Sequence, residues 1–152
     1  MMKQINPLVP EFWCSDFEES LAFYIDVLGF TIVQRRGQSF HAYLELNGSQ
    51  IMLASWPRDG TWETGEFEKP YGRGINFQIL VEDVNGLYER VKANEFQPFV
   101  DIYTKDYWRT DRMDKRMEFA VQDPDGYLLR FTQILSHRPV TQADLGSLGS
   151  ND

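Results

Sequence analysis

The sequence predicts an α+β fold in which one βαβββ module occurs twice. Apolar residues alternate in several short runs, which is the pattern of half-buried strands. One amphipathic helical segment follows the first such run in each half of the chain. When Asp83 is laid on Asp16, strands fall on strands and the helix falls on the helix, although few identities survive. A chain of 152 residues is also the usual size of one domain.

The first module is expected over residues 5–57. An apolar run at 8–14 predicts a strand, and Ser15-Asp16 supplies a helix cap. The following segment repeats apolar residues every three or four positions until Gly29, which favours a helix that ends there. Asn47-Gly48 predicts a tight hairpin because both residues tolerate positive φ. The remaining predicted strands of this module are 30–36, 39–46 and 50–56.

A linker and the second module complete the predicted domain, which covers residues 1–135. Residues 58–73 are rich in Gly, Pro and charge, as linkers are. The second module, residues 74–135, has a helix capped by Asp83 and a closing turn at Asp123-Pro124-Asp125-Gly126. Its predicted strands are 75–81, 99–103, 116–122 and 127–133, and the low apolar content of residues 136–152 predicts a mobile C-terminal tail.

Composition excludes several classes of partner. The formal charge of −8 and pI near 4.7 oppose binding to nucleic acid, because an acidic surface repels phosphates. No apolar stretch approaches the roughly 18 residues that span a bilayer, and we expect a cytoplasmic protein. Cys14 is the single cysteine, so no intrachain disulfide forms, and its apolar surroundings favour a buried thiol.

Alternation divides the predicted strands into two faces. One face is apolar and is expected to pack beneath the helices, with Leu8, Phe12, Phe40, Leu44, Ile75, Phe77, Phe119 and Phe131 among its members. The other, called the groove face here, mixes charges with large aromatic residues. Such a face is either solvated or the lining of a ligand cleft, and its aromatic content favours the cleft. Our candidate ligand-binding residues on this face are Glu11, Trp13, His41, Tyr43, Trp56 and Arg130.

Two more tryptophans are candidates because they occur in predicted loops. Trp62 and Trp108 have Gly-rich or charged neighbours, where a core position is less natural. Each is a candidate for the rim of the cleft, and the alternative is a loop anchor packed on its own domain.

These motifs resemble a known family. Ser20-Leu21-Ala22-Phe23-Tyr24, followed by Val27-Leu28-Gly29-Phe30, is similar to the opening of the vicinal oxygen chelate superfamily, also called the glyoxalase/bleomycin-resistance/dioxygenase superfamily. The turn at Asp123–Gly126 resembles its closing turn, and residues 70–77 resemble the bleomycin-resistance branch. The resemblance covers residues 8–134. It implies two βαβββ modules whose curved mixed sheets enclose a ligand cleft, commonly completed by a homodimer.

Enzymes of this superfamily hold a divalent metal at four positions, and the resemblance places them here. They fall on Val9, Met52, Asn76 and Arg130, none of which is a usual ligand. A substitute site built from Glu11, His41, Glu45 and Glu118 is disfavoured. His41 and Glu45 would lie about 13 Å apart along one strand, too far to share an ion. We therefore expect neither a metal nor another cofactor.

Other catalytic chemistry has little support in the sequence. No nucleophile-elbow, Walker or dinucleotide-binding motif occurs. Cys14 and His41 fall on opposite faces of the predicted sheet, which disfavours a Cys-His pair. Glu11, Glu45 and Glu118 are candidate general bases, and ordinary exposed carboxylates are an equally good interpretation.

The sequence therefore favours a metal-independent small-molecule binding protein without catalytic residues. The bleomycin-resistance branch sequesters a cationic glycopeptide antibiotic between two subunits, and an acidic, aromatic groove suits such a ligand. One alternative is a lyase, isomerase or dioxygenase of the same superfamily with a displaced metal site. Another is a protein-interaction module whose acidic groove receives a basic segment.

Overall fold

Eight strands and three helices make up the part of the chain that the structure describes. The structure is a computed structural model, and it describes residues 4–35, 40–55 and 61–147. The helices are α1 (Phe17–Ala22), α2 (Val84–Ala93) and α3 (Gln142–Ser147), and α1 continues as a π-helical turn over Phe23–Val27. The strands are β1 (Glu11–Trp13), β2 (Thr31–Arg35), β3 (His41–Leu46), β4 (Ser49–Ala54), β5 (Asn76–Leu80), β6 (Pro98–Trp108), β7 (Arg112–Gln122) and β8 (Leu128–Pro139).

The strands form two four-stranded mixed sheets with the same topology. The strand orders are β1-β4-β3-β2 and β5-β8-β7-β6. The pairs β1–β4 and β5–β8 are parallel, and all other neighbouring pairs are antiparallel. The α+β fold of two βαβββ modules is therefore confirmed. Module 1 contains β1–β4 and module 2 contains β5–β8.

The predicted caps and turn act as the sequence indicates. The Asp16 carboxylate accepts the backbone N–H of Glu19 at 3.0 Å and so begins α1, and Asp83 begins α2 in the same way. Asn47 and Gly48 both have positive φ, at 48° and 82°, and close the β3–β4 hairpin. These local signals set the ends of the elements in both modules.

One core joins the two modules. The Phe12 ring of β1 lies 4.6 Å from the Phe77 ring of β5. Buried side chains of both sheets, of α1 with its π-helical turn and of α2 belong to the same cluster. Most of the predicted apolar face is buried, which confirms the division into faces. Leu8, Phe40 and Ile75 are exceptions with 84%, 55% and 56% exposure, because each precedes the strand in which it was placed.

The strands of module 2 are longer than the sequence predicts. β6 and β7 have 11 residues each and form an extended hairpin, so Trp108 ends a strand and does not lie in a loop. β8 continues to Pro139, and α3 follows, where a mobile tail was expected. No helix in the described part of the chain has the length and apolar character needed to cross a membrane.

Candidate functional site

A cleft of about 990 Å³ opens on the groove face of module 1. Its floor is the sheet, and its outer wall is the segment 61–67 that follows β4. Four of our candidates, Glu11, Trp13, His41 and Tyr43, line the floor, and Trp62 lines the wall. The other lining residues are Met52, Thr61, Glu63, Thr64, Gly65, Glu66, Phe67 and Tyr127. Alternation along β1 and β3 brings the floor residues to one face.

Aromatic rings build one side of the cleft. The Trp13 and Phe67 rings are stacked with centroids 5.0 Å apart, and Tyr71 packs edge-on against Phe67 at 5.3 Å. The Tyr127 hydroxyl donates to the backbone oxygen of Trp13 at 3.3 Å, which ties module 2 to the same side. Trp62 differs from these rings because 83% of it is exposed. The packed rings of Trp13, Phe67, Tyr71 and Tyr127 are called the aromatic wall here. The cleft therefore combines this aromatic wall with one tryptophan, Trp62, that is exposed to solvent.

Carboxylates give the cleft a negative potential. Glu11 is partly exposed on the floor, and its Oε2 lies 3.8 Å from Nε2 of the buried His41. Glu63 and Glu66 add two acids from the wall. The lining residues that the structure describes include no lysine or arginine. Acids beside aromatic faces are the surroundings that attract an aromatic cation.

The groove face of module 2 is organised around a buried carboxylate. Glu118 is fully buried, and its oxygens accept hydrogen bonds from Tyr103 at 2.7 Å, from Thr132 at 2.8 Å and from Tyr107. Burial alone would raise the pKa of Glu118, but these hydroxyls and the charge of Arg130 hold it below its ordinary value. Glu118 is thus neither an exposed carboxylate nor a base of raised pKa, the two interpretations that the sequence left open.

Two further candidates, Arg130 and Trp108, lie away from the cleft. Arg130 lies on the groove face of module 2, where its Nη2 donates to the Gln78 side chain at 2.8 Å. Trp108 lies at the end of β6, beside a separate polar depression of about 520 Å³ that Arg109 and Arg112 help to line. Trp56 falls outside the described residues. Of the seven candidates that the structure describes, five therefore lie together in the cleft.

The four superfamily metal positions do not suit a metal. Val9 and Met52 offer no hard donor, Asn76 offers only an amide oxygen, and the Arg130 guanidinium repels a cation. Within residues 4–35, 40–55 and 61–147, no group of three or more His, Cys, Asp or Glu side chains lies close enough to hold an ion. We therefore derive no chemical step through a metal. Burial raises the pKa of Cys14 to about 12, so its thiol is neutral and a poor nucleophile.

Sequence reasoning missed the wall of the cleft. Residues 61–67 were assigned to a linker because they are rich in Gly and charge. The signal that was available is the alternation of aromatic and acidic residues in Trp62-Glu63-Thr64-Gly65-Glu66-Phe67. Tyr127 was missed because strand alternation places it on the core face, whereas its ring also reaches the cleft.

The sequence matches the model of a known family. Residues 4–131 match the model of the Glyoxalase/Bleomycin resistance protein/Dioxygenase superfamily, and the chain belongs to that superfamily.

Known relatives and solved structures agree with this assignment. A bleomycin resistance protein of Geobacillus stearothermophilus is 30% identical over 141 residues, which cover 87% of this chain and 97% of that protein. The structure of TioX from Micromonospora sp. ML1 superposes with a TM-score of 0.62 at 21% identity, covering 86% of this chain and all of TioX. A lactoylglutathione lyase from Agrobacterium tumefaciens superposes with a TM-score of 0.56 at 14% identity, covering 86% and 95% of the two chains. The last two show the fold alone.

Proposed function

We propose that the protein binds a cationic aromatic small molecule of the bleomycin type in the cleft of module 1, and that it sequesters this ligand without changing it. The observation that carries the proposal is the lining of the cleft: three carboxylates and several aromatic rings, with no basic side chain among the described lining residues. The relatives named as bleomycin resistance proteins match almost the whole chain, which supports the same class of ligand.

Each part of the cleft has a role in this proposal. Trp13 and Tyr43 offer flat apolar surface to one face of a planar ligand group, and Trp62 can pack against the other face of that group. Glu11, Glu63 and Glu66 attract the positive charge from two sides. His41 helps to position the Glu11 carboxylate, since its buried ring lies 3.8 Å from that group.

We also propose that the protein acts as a homodimer in the cytoplasm. Module 2 exposes large apolar side chains, with Leu80, Phe99 and Trp108 each about half exposed, and a symmetric partner would cover such surface. In this arrangement Trp108 and Arg130 serve the partner's cleft, where Arg130 would meet an anionic group of the ligand. A single species of 17.8 kDa in sedimentation at micromolar concentration would contradict the dimer.

Calorimetry on protein treated with EDTA tests the proposed function. Metal-free bleomycin is the probe, and the bound drug is recovered and weighed by mass spectrometry. We expect saturable binding at one site per chain and recovery of unmodified drug. Absence of heat and of any rise in melting temperature would show that the proposed ligand class is wrong. Recovery of a modified drug would instead support an enzyme, the first alternative.

A further inference from the structure

The turn between β7 and β8 fastens the two modules together through two buried carboxylates. Asp123 and Asp125 are 5% and 1% exposed. The Asp125 carboxylate accepts the backbone N–H of Ser15 at 3.0 Å and its hydroxyl at 2.5 Å. Lys69 of the segment between the modules adds its ammonium group at 2.9 Å from Asp125 Oδ1. Asp125 is thus a buried carboxylate that has the ammonium group of Lys69 as its counter-ion.

The Asp123 carboxylate accepts three hydrogen bonds, and among the described residues it has no basic partner. Its oxygens accept the Tyr24 hydroxyl at 2.9 Å and the backbone N–H groups of Asp125 and Tyr127 at 3.0 and 2.9 Å. No basic side chain in the described part of the chain lies within 4.0 Å of it. Cys14 also faces it, and burial raises the pKa of Cys14, Tyr24 and Tyr127 so that all three are neutral. The remaining charged neighbour, Asp125, repels it.

This turn also anchors the aromatic wall of the cleft. Tyr127, whose N–H binds Asp123, stacks on Phe12 at 4.5 Å and donates its hydroxyl to the Trp13 backbone. The backbone N–H of Tyr71 donates to the Asp125 carbonyl at 2.9 Å, and the Tyr71 ring packs against Tyr127 at 5.9 Å. A change in the charge of Asp123 therefore acts at the point where both modules and the cleft wall meet.

We propose that this turn is a proton-operated clasp, which tightens the junction of the modules when Asp123 binds a proton and loosens it when the proton leaves. The proposal goes beyond ligand binding, since it holds whatever molecule occupies the cleft. Protonation removes a buried negative charge that has no described basic side chain beside it, and with it the repulsion between the two carboxylates. The Trp13 and Tyr127 side of the cleft should be held most firmly in weakly acidic solution.

The pH range follows from the direction of the shift. Burial is the largest influence, and it raises the pKa of Asp123 to about 6 from an ordinary value of 3.8. Because the folded pKa is the higher one, the contribution to stability is fully present below about pH 4 and is lost as the pH rises through about 6. A shift of about two units corresponds to about a hundredfold change in the folding equilibrium constant.

Carboxyl carbon NMR of the full-length protein labelled at aspartate tests the clasp without any ligand. We expect one aspartate to titrate with a midpoint near 6, and the Trp13 indole N–H to shift with the same midpoint. In urea unfolding, the ratio of the folding constants of wild type and Asp123→Asn should change by about a hundredfold between pH 4 and pH 7. The control variant, Asp26→Asn at an exposed position of module 1, should show no such change.

Two results would overturn the clasp. One is a set of aspartate midpoints that all lie below 5, and the other is a midpoint near 6 that the Trp13 signal does not follow. If Asp123→Asn does not fold, Tyr24→Phe replaces it. Loss of the Tyr24 hydroxyl, which stabilises the ionised form, should move the aspartate midpoint upward, and an unchanged midpoint would contradict the assignment to Asp123.

Discussion

The two groove faces occupy equivalent places in a duplicated fold but carry their acids in different ways. Strand register pairs Glu11 with Met52 in module 1 and Gln78 with Arg130 in module 2, so Glu11 and Gln78 are counterparts. Module 1 therefore has its acid on the outer parallel strand, where it borders the cleft. Module 2 has Gln78 in that place, and the side-chain oxygen of Gln78 accepts a hydrogen bond from Arg130.

On the inner strands β3 and β7, the acid lies in module 2 and the histidine in module 1. His41 pairs with Ala54, and its counterpart Glu118 pairs with Thr132. In module 2 the acid is thus enclosed by hydroxyl groups, and its hydrogen bonds are made within the sheet. One sheet face can therefore become a binding surface or an internal polar core, depending on which strand carries the carboxylate.

The largest effect is expected from Glu118→Gln on stability. The amide cannot accept hydrogen bonds from three hydroxyl groups as the carboxylate does, and a buried charged network is lost. The free energy of unfolding should fall by about 2–4 kcal/mol in urea denaturation. Glu11→Gln is the matched control in module 1, and it should change the same quantity by less than about 0.5 kcal/mol because Glu11 is partly exposed. Equal losses in the two variants would remove the distinction between the faces.

The next largest effect is on affinity, at the exposed tryptophan of the cleft. Trp62→Ala should weaken binding of a planar cationic ligand by about five- to tenfold, since it removes stacking of about 1–1.4 kcal/mol. Stability should not change, because the side chain is 83% exposed. Calorimetry measures the first quantity and thermal unfolding the second.

Trp108→Ala tests the proposed dimer. If a partner supplies Trp108 to the cleft, this variant loses affinity to a similar extent. If the cleft of one chain is sufficient, its affinity equals that of the wild type. Unchanged affinity in Trp62→Ala would exclude the wall from the site in either case.

A smaller effect is expected from the charge on the cleft floor. Glu11→Gln should weaken a cationic ligand by about fivefold at low salt and leave a neutral analogue unaffected. Added salt should reduce the difference between wild type and variant because it screens the charge. Glu89→Gln, which removes one charge from the exposed side of α2, is the control, and a loss of the same size there would show a general effect of net charge.

The smallest effect concerns the arginine of module 2. Arg130→Met keeps much of the apolar length and removes the charge that lowers the pKa of Glu118. The pKa of Glu118 should rise and the free energy of unfolding should fall by at most about 1 kcal/mol, as judged from urea unfolding. A loss of ligand affinity at unchanged stability would instead place Arg130 in a binding site, as the dimer proposal requires.

Local patterns explain why much of the fold and the floor of the cleft were predictable. Alternation along a strand fixes which residues share a face, so Glu11 with Trp13 and His41 with Tyr43 could be grouped without any tertiary information. The caps at Asp16 and Asp83 and the Asn47-Gly48 turn are equally local.

The features that sequence reasoning missed depend on contacts between distant segments. The path of residues 61–67 over the sheet is fixed by Phe67 stacking on Trp13, far away along the chain. Burial of Glu118 depends on the register of three strands, which brings Tyr103 and Thr132 to it. The length of β6 and β7 was underestimated because charged residues interrupt their apolar alternation.

The most direct test of the central claim is a map of the bound ligand by two-dimensional NMR of the labelled protein during titration with metal-free bleomycin. We expect the indole signals of Trp13 and Trp62 and the backbone signals of β1 and β3 to shift and saturate together. The backbone signals around Glu118 in β7 should remain in place. Shifts centred on Glu118, with the Trp13 and Trp62 signals unchanged, would contradict the assignment of the site to module 1.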